Sequence, residues 1–175
     1  MSRMPGIALG TQLGVGDLSR MLELLVGQHR CVLACTVAGL PRLKPRLAER
    51  VEHASDLPQA TRAGLLQRLW ALPDGARLCH GDFHPFNIMV DGDRLGIIDW
   101  LDATIGPPEA DIARTYLLVA LHLPEVAERY LAAMTDDLTM DLRRVMDWLP
   151  VVAGARLVEG VDEETERLLA WCRLT

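Results

Sequence analysis

A single short segment of the chain, residues 88–98, has the pattern of β-strands, and it limits the possible folds more than any other feature. The runs Ile88-Met89-Val90 and Leu95-Gly96-Ile97-Ile98 flank the tetrapeptide Asp91-Gly92-Asp93-Arg94. An Asp-Gly turn between two such apolar runs is typical of a β-hairpin. The sequence therefore predicts one hairpin, and a short extended segment at 77–79, in a chain whose remaining pattern is helical.

Helical periodicity precedes and follows the hairpin. Apolar residues recur every three to four positions from Asp17, a good N-cap residue, to near Gly39. The expected fold class is α+β, mainly α: a helical bundle with a small β-hairpin. Further helices are predicted at 43–51, 65–72, 110–121, 125–134, 138–149 and 163–172, with breaks around Pro58, Pro124 and Pro150.

Length and composition favour one domain without a membrane span. The chain has 175 residues, 50% of them hydrophobic. Its longest apolar run, near 116–123, is far shorter than the roughly 20 residues of a transmembrane helix. Four irregularly spaced cysteines, and a start interrupted by glycine and proline, predict a cytoplasmic protein with no membrane partner.

Acidic residues are concentrated towards the end of the chain. Residues 101–175 contain 7 basic and 14 acidic residues, whereas residues 1–100 contain 11 and 10. This charge disfavours nucleic acid as a partner and favours cationic ligands. The alternative is that these residues, which include Glu159, Asp162, Glu163, Glu164 and Glu166, form solvated faces of helices.

A candidate catalytic loop precedes the hairpin. His80-Gly81-Asp82 is followed by Asn87 in the pattern H-G-D-x-x-x-x-N. The spacing equals that of the H-R-D-x-x-x-x-N loop of protein kinases, in which the Asp accepts the proton of the substrate hydroxyl and the Asn binds a metal ion. Asp82 is therefore the candidate base and Asn87 a candidate metal ligand, while His80 is more plausible as a structural brace of the loop than as a proton carrier.

A second carboxylate is expected beside this loop. Asp99 lies twelve residues after Asn87 and follows the apolar pair Ile97-Ile98, so we expect a buried acid at the end of the second strand of the hairpin. A hairpin returns its end to its beginning, and a carboxylate with an amide oxygen suits Mg²⁺. Taken singly, an Asp-x-x-x-x-Asn pattern and an Asp after a strand are more often turns or caps. Together they favour a site for metal-dependent phosphoryl transfer.

Around these motifs the sequence resembles the aminoglycoside phosphotransferase and choline kinase-like family. The resemblance rests on HGDFHPFNIMV, on IIDW, and on A-x-x-G-P-P-E-A-D-I-A-R at 103–114. It implies a protein-kinase-like C-terminal lobe that uses ATP and Mg²⁺, with Asp82 as catalytic residue and Asn87 and Asp99 as metal ligands. It also implies a structural role for Asp111, which could cap its helix or brace the catalytic loop. Candidates for the substrate side are His84, Phe86, where many members have glycine, Trp100 and Asp102.

The resemblance further implies a domain organisation. We expect residues 1–12 to be a remnant of an interlobe linker without β-strands, and residues 13–175 to be the catalytic lobe. The N-terminal nucleotide-binding lobe is expected to be absent, because no glycine-rich strand pair precedes Leu13 and the sole lysine, Lys44, falls in a predicted surface helix. A homo-oligomer or a separate N-lobe partner would then complete the protein.

Two functions fit these observations. The first is an ATP-dependent phosphotransferase that transfers the γ-phosphate to a hydroxyl of a small, cationic substrate such as an aminoglycoside-like compound, impaired when the chain acts alone. The second is a non-catalytic kinase-like module that binds a partner. The acidic and amide groups of Asp82, Asn87 and Asp99 favour the enzyme, and the absent phosphate clamp favours the module.

Overall fold

The computed structural model of the chain describes residues 5–12 and 18–174. Helices form most of the described chain, and short strands are inserted among them, so the predicted α+β, mainly α class is confirmed. The helices are α1 (Leu18–Ala34), α2 (Leu43–His53), α3 (Gln59–Ala71), α4 (Pro108–His122), α5 (Pro124–Asp137), α6 (Leu142–Met146), α7 (Leu149–Arg156) and α8 (Asp162–Trp171). The strands are β1 (Ile7–Ala8), β2 (Arg77–Cys79), β3 (Ile88–Asp91), β4 (Arg94–Ile97) and β5 (Thr104–Gly106).

Helix α4 is the centre of the core. Every residue from Glu109 to Ala120 is buried, as expected for a helix that other helices surround. Its start is set by Pro107-Pro108, because proline is tolerated in the first turn, where its missing N–H would have no helical partner. α4 packs against α5, α6 and α7. The first turn of α4 is thereby fixed in position beside β2 and the loop that follows it.

Two small sheets carry the loops of interest. β3 and β4 form the predicted hairpin, with Ile88 opposite Ile97 and Asp91 opposite Arg94. β2 pairs with β5, a strand that the sequence did not indicate. Residues 1–12 were expected to contain no strand, and this is wrong: β1 pairs with β3 and makes the hairpin a three-stranded sheet.

Several helix boundaries differ from the expected ones. α1 ends at Ala34 instead of near Gly39, because the carbonyl oxygen of Cys35 accepts the N–H of Leu78 in β2. The helix expected at 138–149 is replaced by α6 and the start of α7, and Thr139 lies between α5 and α6 in a left-handed conformation with φ 50°. The proposed N-cap Asp17 lies outside the described residues.

Two further features of the fold bear on the expectations. Lys44 was placed on a surface helix, but it is buried in α2 and its Nζ donates to the carbonyl oxygen of Leu72 at the end of α3. None of the described helices combines the length and the apolar character needed to cross a membrane.

Candidate active site

Asp82 and Asn87 are joined by hydrogen bonds across a short loop. The loop follows β2, and Pro85–Asn87 form a 3₁₀ turn that leads into β3. The Asn87 side-chain Nδ2 donates to the backbone carbonyl of Asp82 at 2.8 Å and lies 3.1 Å from Asp82 Oδ2. The five-residue spacing therefore brings a carboxylate and an amide to the same side of the loop, each orienting the other.

His84 also holds the carboxylate of Asp82. Its Nδ1 accepts the backbone N–H of Phe86 at 3.2 Å, which leaves Nε2 to carry the proton in the neutral ring. Nε2 lies 3.3 Å from Asp82 Oδ2. Both His84 and Asn87 thus contact Oδ2, and within residues 5–12 and 18–174 no hydrogen bond reaches Oδ1 of Asp82.

The electrostatic surroundings keep Asp82 ionised. Burial raises the pKa of Asp82, but the hydrogen bond from His84 and the charges of Arg114 and Arg156 outweigh burial and lower it to about 2. Arg114 lies on α4, with Nη2 3.8 Å from Asp82 Oδ1 and Nε donating to the carbonyl of Gly81 at 3.1 Å. Asp82 is therefore a carboxylate at any physiological pH.

His80 connects the loop that carries Asp82 to the segment after β4. Its Nε2 donates to the carbonyl of Ile98 at 3.0 Å, and its Nδ1 accepts the N–H of Asp82 at 3.3 Å. Burial lowers the pKa of His80, which favours the neutral ring that this pair of bonds requires. The next residue must be glycine, because Gly81 has φ 82° and a Cβ there would lie 2.5 Å from the carbonyl oxygen of Asp102.

Asp111 fixes the backbone of the loop from the first turn of α4. One carboxylate oxygen accepts the N–H of His80 and the other accepts the N–H of Gly81, each at 2.8 Å. The side chain is fully buried. Burial raises the pKa of Asp111, but the hydrogen bond and charge of His29 and the two backbone N–H groups outweigh it and lower the pKa. This carboxylate is the hydrogen-bond acceptor that holds the loop in place.

A buried histidine on α1 extends this network. His29 Nε2 lies 3.0 Å from Asp111 Oδ2, and Nδ1 lies 2.6 Å from the hydroxyl of Tyr130 on α5. The imidazole also stacks on Phe83, with ring centroids 4.3 Å apart. Three helices are thus linked to the backbone of the loop that carries Asp82 through one chain of buried hydrogen bonds.

Asp99 follows a residue that is hydrogen-bonded to Asn87, and it is exposed. The N–H of Ile98 donates to the carbonyl of Asn87 at 3.0 Å, so the segment that carries Asp99 runs beside Asn87. The expectation of a buried acid at the strand end is wrong: β4 ends at Ile97, and Asp99 is exposed two residues later. Its φ of 62° is in the left-handed region, which is costly for a non-glycine residue and is concentrated at functional sites.

The oxygen atoms of Asn87 and Asp99 are free to bind a cation. Among the described residues, none donates a hydrogen bond to Asn87 Oδ1, and none pairs with the carboxylate of Asp99. The same part of the chain contains no group of three or more His, Cys, Asp or Glu side chains that could hold a metal ion. An ion here would need further oxygens from a ligand or from water, as is usual for Mg²⁺ beside phosphates.

The four residues expected on the substrate side occupy different places. His84 contacts Asp82, and Phe86 is half exposed at the same loop, where its ring leaves no room for a side chain at Gly10. Trp100 packs on His80, with ring centroids 4.5 Å apart. Asp102 has its carboxylate engaged by arginines at 2.6 to 2.7 Å, so its position favours a structural ion pair. Those arginines are Arg46 and Arg50 on α2.

Sequence patterns did not indicate some of the residues that surround the site. Arg114 follows Asp111 by three positions and therefore shares its helix face, a signal that could have been used. His29, Tyr130 and Arg156 carry no such signal, because they come from three other helices that only the tertiary fold brings together.

Comparison with solved structures shows the fold. A thermostable mutant of aminoglycoside phosphotransferase APH(4)-Ia matches 97% of this chain and 68% of its own, with 19% identity and a TM-score of 0.71. Choline kinase LicA from Streptococcus pneumoniae matches 89% of this chain and 65% of its own, with 15% identity and a TM-score of 0.63. At these identities the likeness concerns the protein-kinase-like fold alone.

The sequence comparisons show the family. No curated protein matches the chain. A family model described as phosphotransferase enzyme family, APH, matches residues 1–149, which include the loop with Asp82 and Asn87, the hairpin and Asp99. The expected resemblance is thereby confirmed, and the chain belongs to the phosphotransferase enzyme family.

Proposed function

We propose that this chain carries the catalytic residues of an ATP-dependent phosphotransferase that acts on a hydroxyl group of a small molecule. The observation that carries the proposal is the pairing of Asp82 with Asn87 and His84, which holds one carboxylate oxygen and leaves Oδ1 available. Solved structures of the same fold support a nucleotide as the phosphate donor, since one of them is a complex with AMP-PNP and hygromycin B.

Asp82 would orient the acceptor and take its proton. As the acceptor oxygen bonds to the γ-phosphorus and the bond to the leaving nucleoside diphosphate breaks, the hydroxyl proton passes to Asp82 Oδ1. A carboxylate with a pKa of about 2 is a weak base, which suits a loose transition state in which the proton transfers late. The main contribution of Asp82 is then the alignment of the hydroxyl.

Asn87 and Asp99 would hold Mg²⁺ through oxygen atoms. Their free amide oxygen and exposed carboxylate fit a hard cation that keeps water and phosphate oxygens as its other ligands. When bound, the ion neutralises charge on the phosphates. His80 and Asp111 would keep the two ligands in register with Asp82, because they tie the loop to the segment after β4 and to α4.

The nucleotide clamp is proposed to come from elements other than those described. The sole lysine, Lys44, is buried on α2 and donates to a backbone carbonyl, so it is not placed to bind phosphate. We therefore propose that residues 13–175 act as a catalytic lobe, and that the chain binds Mg-ATP weakly when no second lobe is supplied. Isothermal titration of the chain with Mg-ATP measures this directly, and tight binding would contradict it.

The direct test of the activity is transfer of labelled γ-phosphate from ATP to a panel of alcohols. Asp82→Asn keeps the size of the side chain but removes the charge, and kcat should fall by about 10²- to 10⁴-fold. Asp93→Asn, an exposed carboxylate in the hairpin turn, is the control and should retain the parent rate. Undiminished transfer by Asp82→Asn would refute the assigned role and favour a non-catalytic binding module.

A further inference from the structure

A cavity of about 290 Å³ opens beside the candidate base. Asp82 lies at its wall, and five of the nine lining residues are apolar. Two of these, Leu118 and Val119, come from the buried helix α4 and are fixed by the core. The lining consists of Asp82, His84, Pro85, Phe86, Leu118, Val119, His122, Leu123 and Arg156.

The charge of this cavity differs from that of the last third of the chain. Among the described residues that line it, Asp82 is the only carboxylate. None of the five acidic residues that were expected to attract a cationic substrate is among the described residues that line the cavity: Asp162, Glu163 and Glu166 are exposed on α8, and Glu159 and Glu164 pair with arginines.

The one arginine in the lining already has acidic partners. Arg156 binds Glu164 through two nitrogens, at 2.8 and 3.0 Å, and binds Glu159 through Nη1. Glu159 in turn accepts from Arg114 at 2.7 Å. Arg50, Arg114 and Arg156 therefore share Glu159 and Glu164 behind the cavity, so Arg156 is not a free cation for a charged substrate. The one carboxylate in the described lining is that of the candidate base, Asp82.

We propose that the acceptor is an alcohol whose body is apolar and uncharged. This inference rests on the proposed function, since it takes the cavity beside Asp82 as the acceptor site. An ammonium group in the cavity would lose its hydration and meet the paired Arg156, with no carboxylate other than the base to compensate. A carboxylate on the acceptor would face the carboxylate of Asp82, and Arg156 is already paired and cannot compensate for it. Leu118, Val119, Leu123 and the Phe86 ring offer contact only to an apolar body.

Binding of three alcohols of matched shape tests the proposal on the chain itself. The probes are benzyl alcohol, 4-(aminomethyl)benzyl alcohol and 4-(hydroxymethyl)benzoate, each titrated at pH 8 while protein NMR shifts are followed at Phe86 and Leu118. The neutral alcohol should bind about tenfold more tightly than either charged analogue. Equal or tighter binding of a charged analogue, or no binding of the neutral alcohol at this cavity, would overturn the proposal.

A variant with a new carboxylate gives the second arm. His122 is exposed at the end of α4 and lines the cavity, so His122→Asp adds a negative charge without disturbing the core. It should raise the affinity for the ammonium analogue several-fold, whereas Gln59→Glu, an exposed change of the same charge at the start of α3, should leave all three affinities unchanged. An unchanged preference in His122→Asp would also overturn the proposal.

The binding and transfer experiments separate this inference from the proposed function. Probe binding needs no ATP, so a preference for the neutral alcohol without phosphoryl transfer at saturating Mg-ATP would leave the class of bound alcohol standing and refute the activity. Transfer that depends on Asp82 but goes to a cationic alcohol would support the activity and refute the proposed acceptor class.

Discussion

The carboxylate of Asp111 accepts the backbone N–H of Gly81 at 2.8 Å across 30 positions of sequence. The other oxygen accepts the N–H of His80, and His29 contacts the same carboxylate. A fully buried carboxylate with three donors is therefore the link between α4 and the loop that carries Asp82. Its removal should disturb both the stability of the fold and the geometry of the loop.

Asp111→Asn is expected to lower the free energy of unfolding by about 3 kcal/mol, because an amide cannot accept from all three donors and leaves a buried donor unpaired. Urea unfolding followed by circular dichroism measures the change. Asp137→Asn, which breaks the surface ion pair with Arg30, is the control and should cost less than about 1 kcal/mol. Equal losses in the two variants would show that Asp111 is not the link described.

Tyr130→Phe should destabilise the protein through His29. The variant leaves His29 Nδ1 buried without its partner at 2.6 Å, and the cost should be about 1–3 kcal/mol. Tyr116→Phe is the matched control, since Tyr116 donates to the exposed Glu128, which water can serve instead. In a double-mutant cycle measured by urea unfolding, Tyr130→Phe and Asp111→Asn should couple by more than about 0.5 kcal/mol. Strict additivity would show that His29 does not connect the two residues.

The stability of the protein should also depend on pH through His80. Burial lowers the pKa of His80 in the folded protein, whereas the unfolded chain takes up a proton near the ordinary histidine value of about 6.5. The stability that neutral His80 contributes is therefore fully present above about pH 6.5, and it is lost as the pH falls from there through the pKa of His80 in the folded protein.

Urea unfolding between pH 5 and pH 8 measures this dependence. His80→Gln should show a smaller loss of stability on acidification than the parent protein. The variant lacks the buried imidazole, which takes up a proton more readily in the unfolded chain than in the folded one. His53→Gln, an exposed histidine of α2, controls for the removal of one imidazole. A parent and a His80→Gln variant with parallel pH profiles would contradict the assignment of His80 as a buried neutral brace.

Local patterns in the sequence were enough to predict part of the fold and part of the candidate site. The turn at Gly92-Asp93 and the apolar runs around it predict the hairpin, because both signals act within ten residues. The spacing of Asp82 and Asn87 predicts their contact for the same reason: one short loop contains both.

Features that depend on distant partners could not be predicted in this way. β1 and β5 are two and three residues long and exist only because β3 and β2 offer them free backbone groups. A lysine is usually exposed, but Lys44 is buried on α2, where its Nζ donates to the carbonyl oxygen of Leu72 at the end of α3. The pairing of Arg156 with Glu159 and Glu164, on which the proposal of an uncharged acceptor rests, likewise arises from tertiary packing.

Asn87 and Asp99 are proposed to hold the divalent ion of a phosphoryl-transfer site beside Asp82. Paramagnetic broadening of amide resonances by Mn²⁺ in the presence of ADP tests this proposal most directly. In the parent chain, broadening should be centred on residues 87 and 98–99; Asn87→Ala and Asp99→Gly should abolish it, and Asp93→Asn should keep it. Asp99→Gly should not lower stability, because glycine tolerates the φ of 62°. Broadening that persists unchanged in both ligand variants would contradict the account.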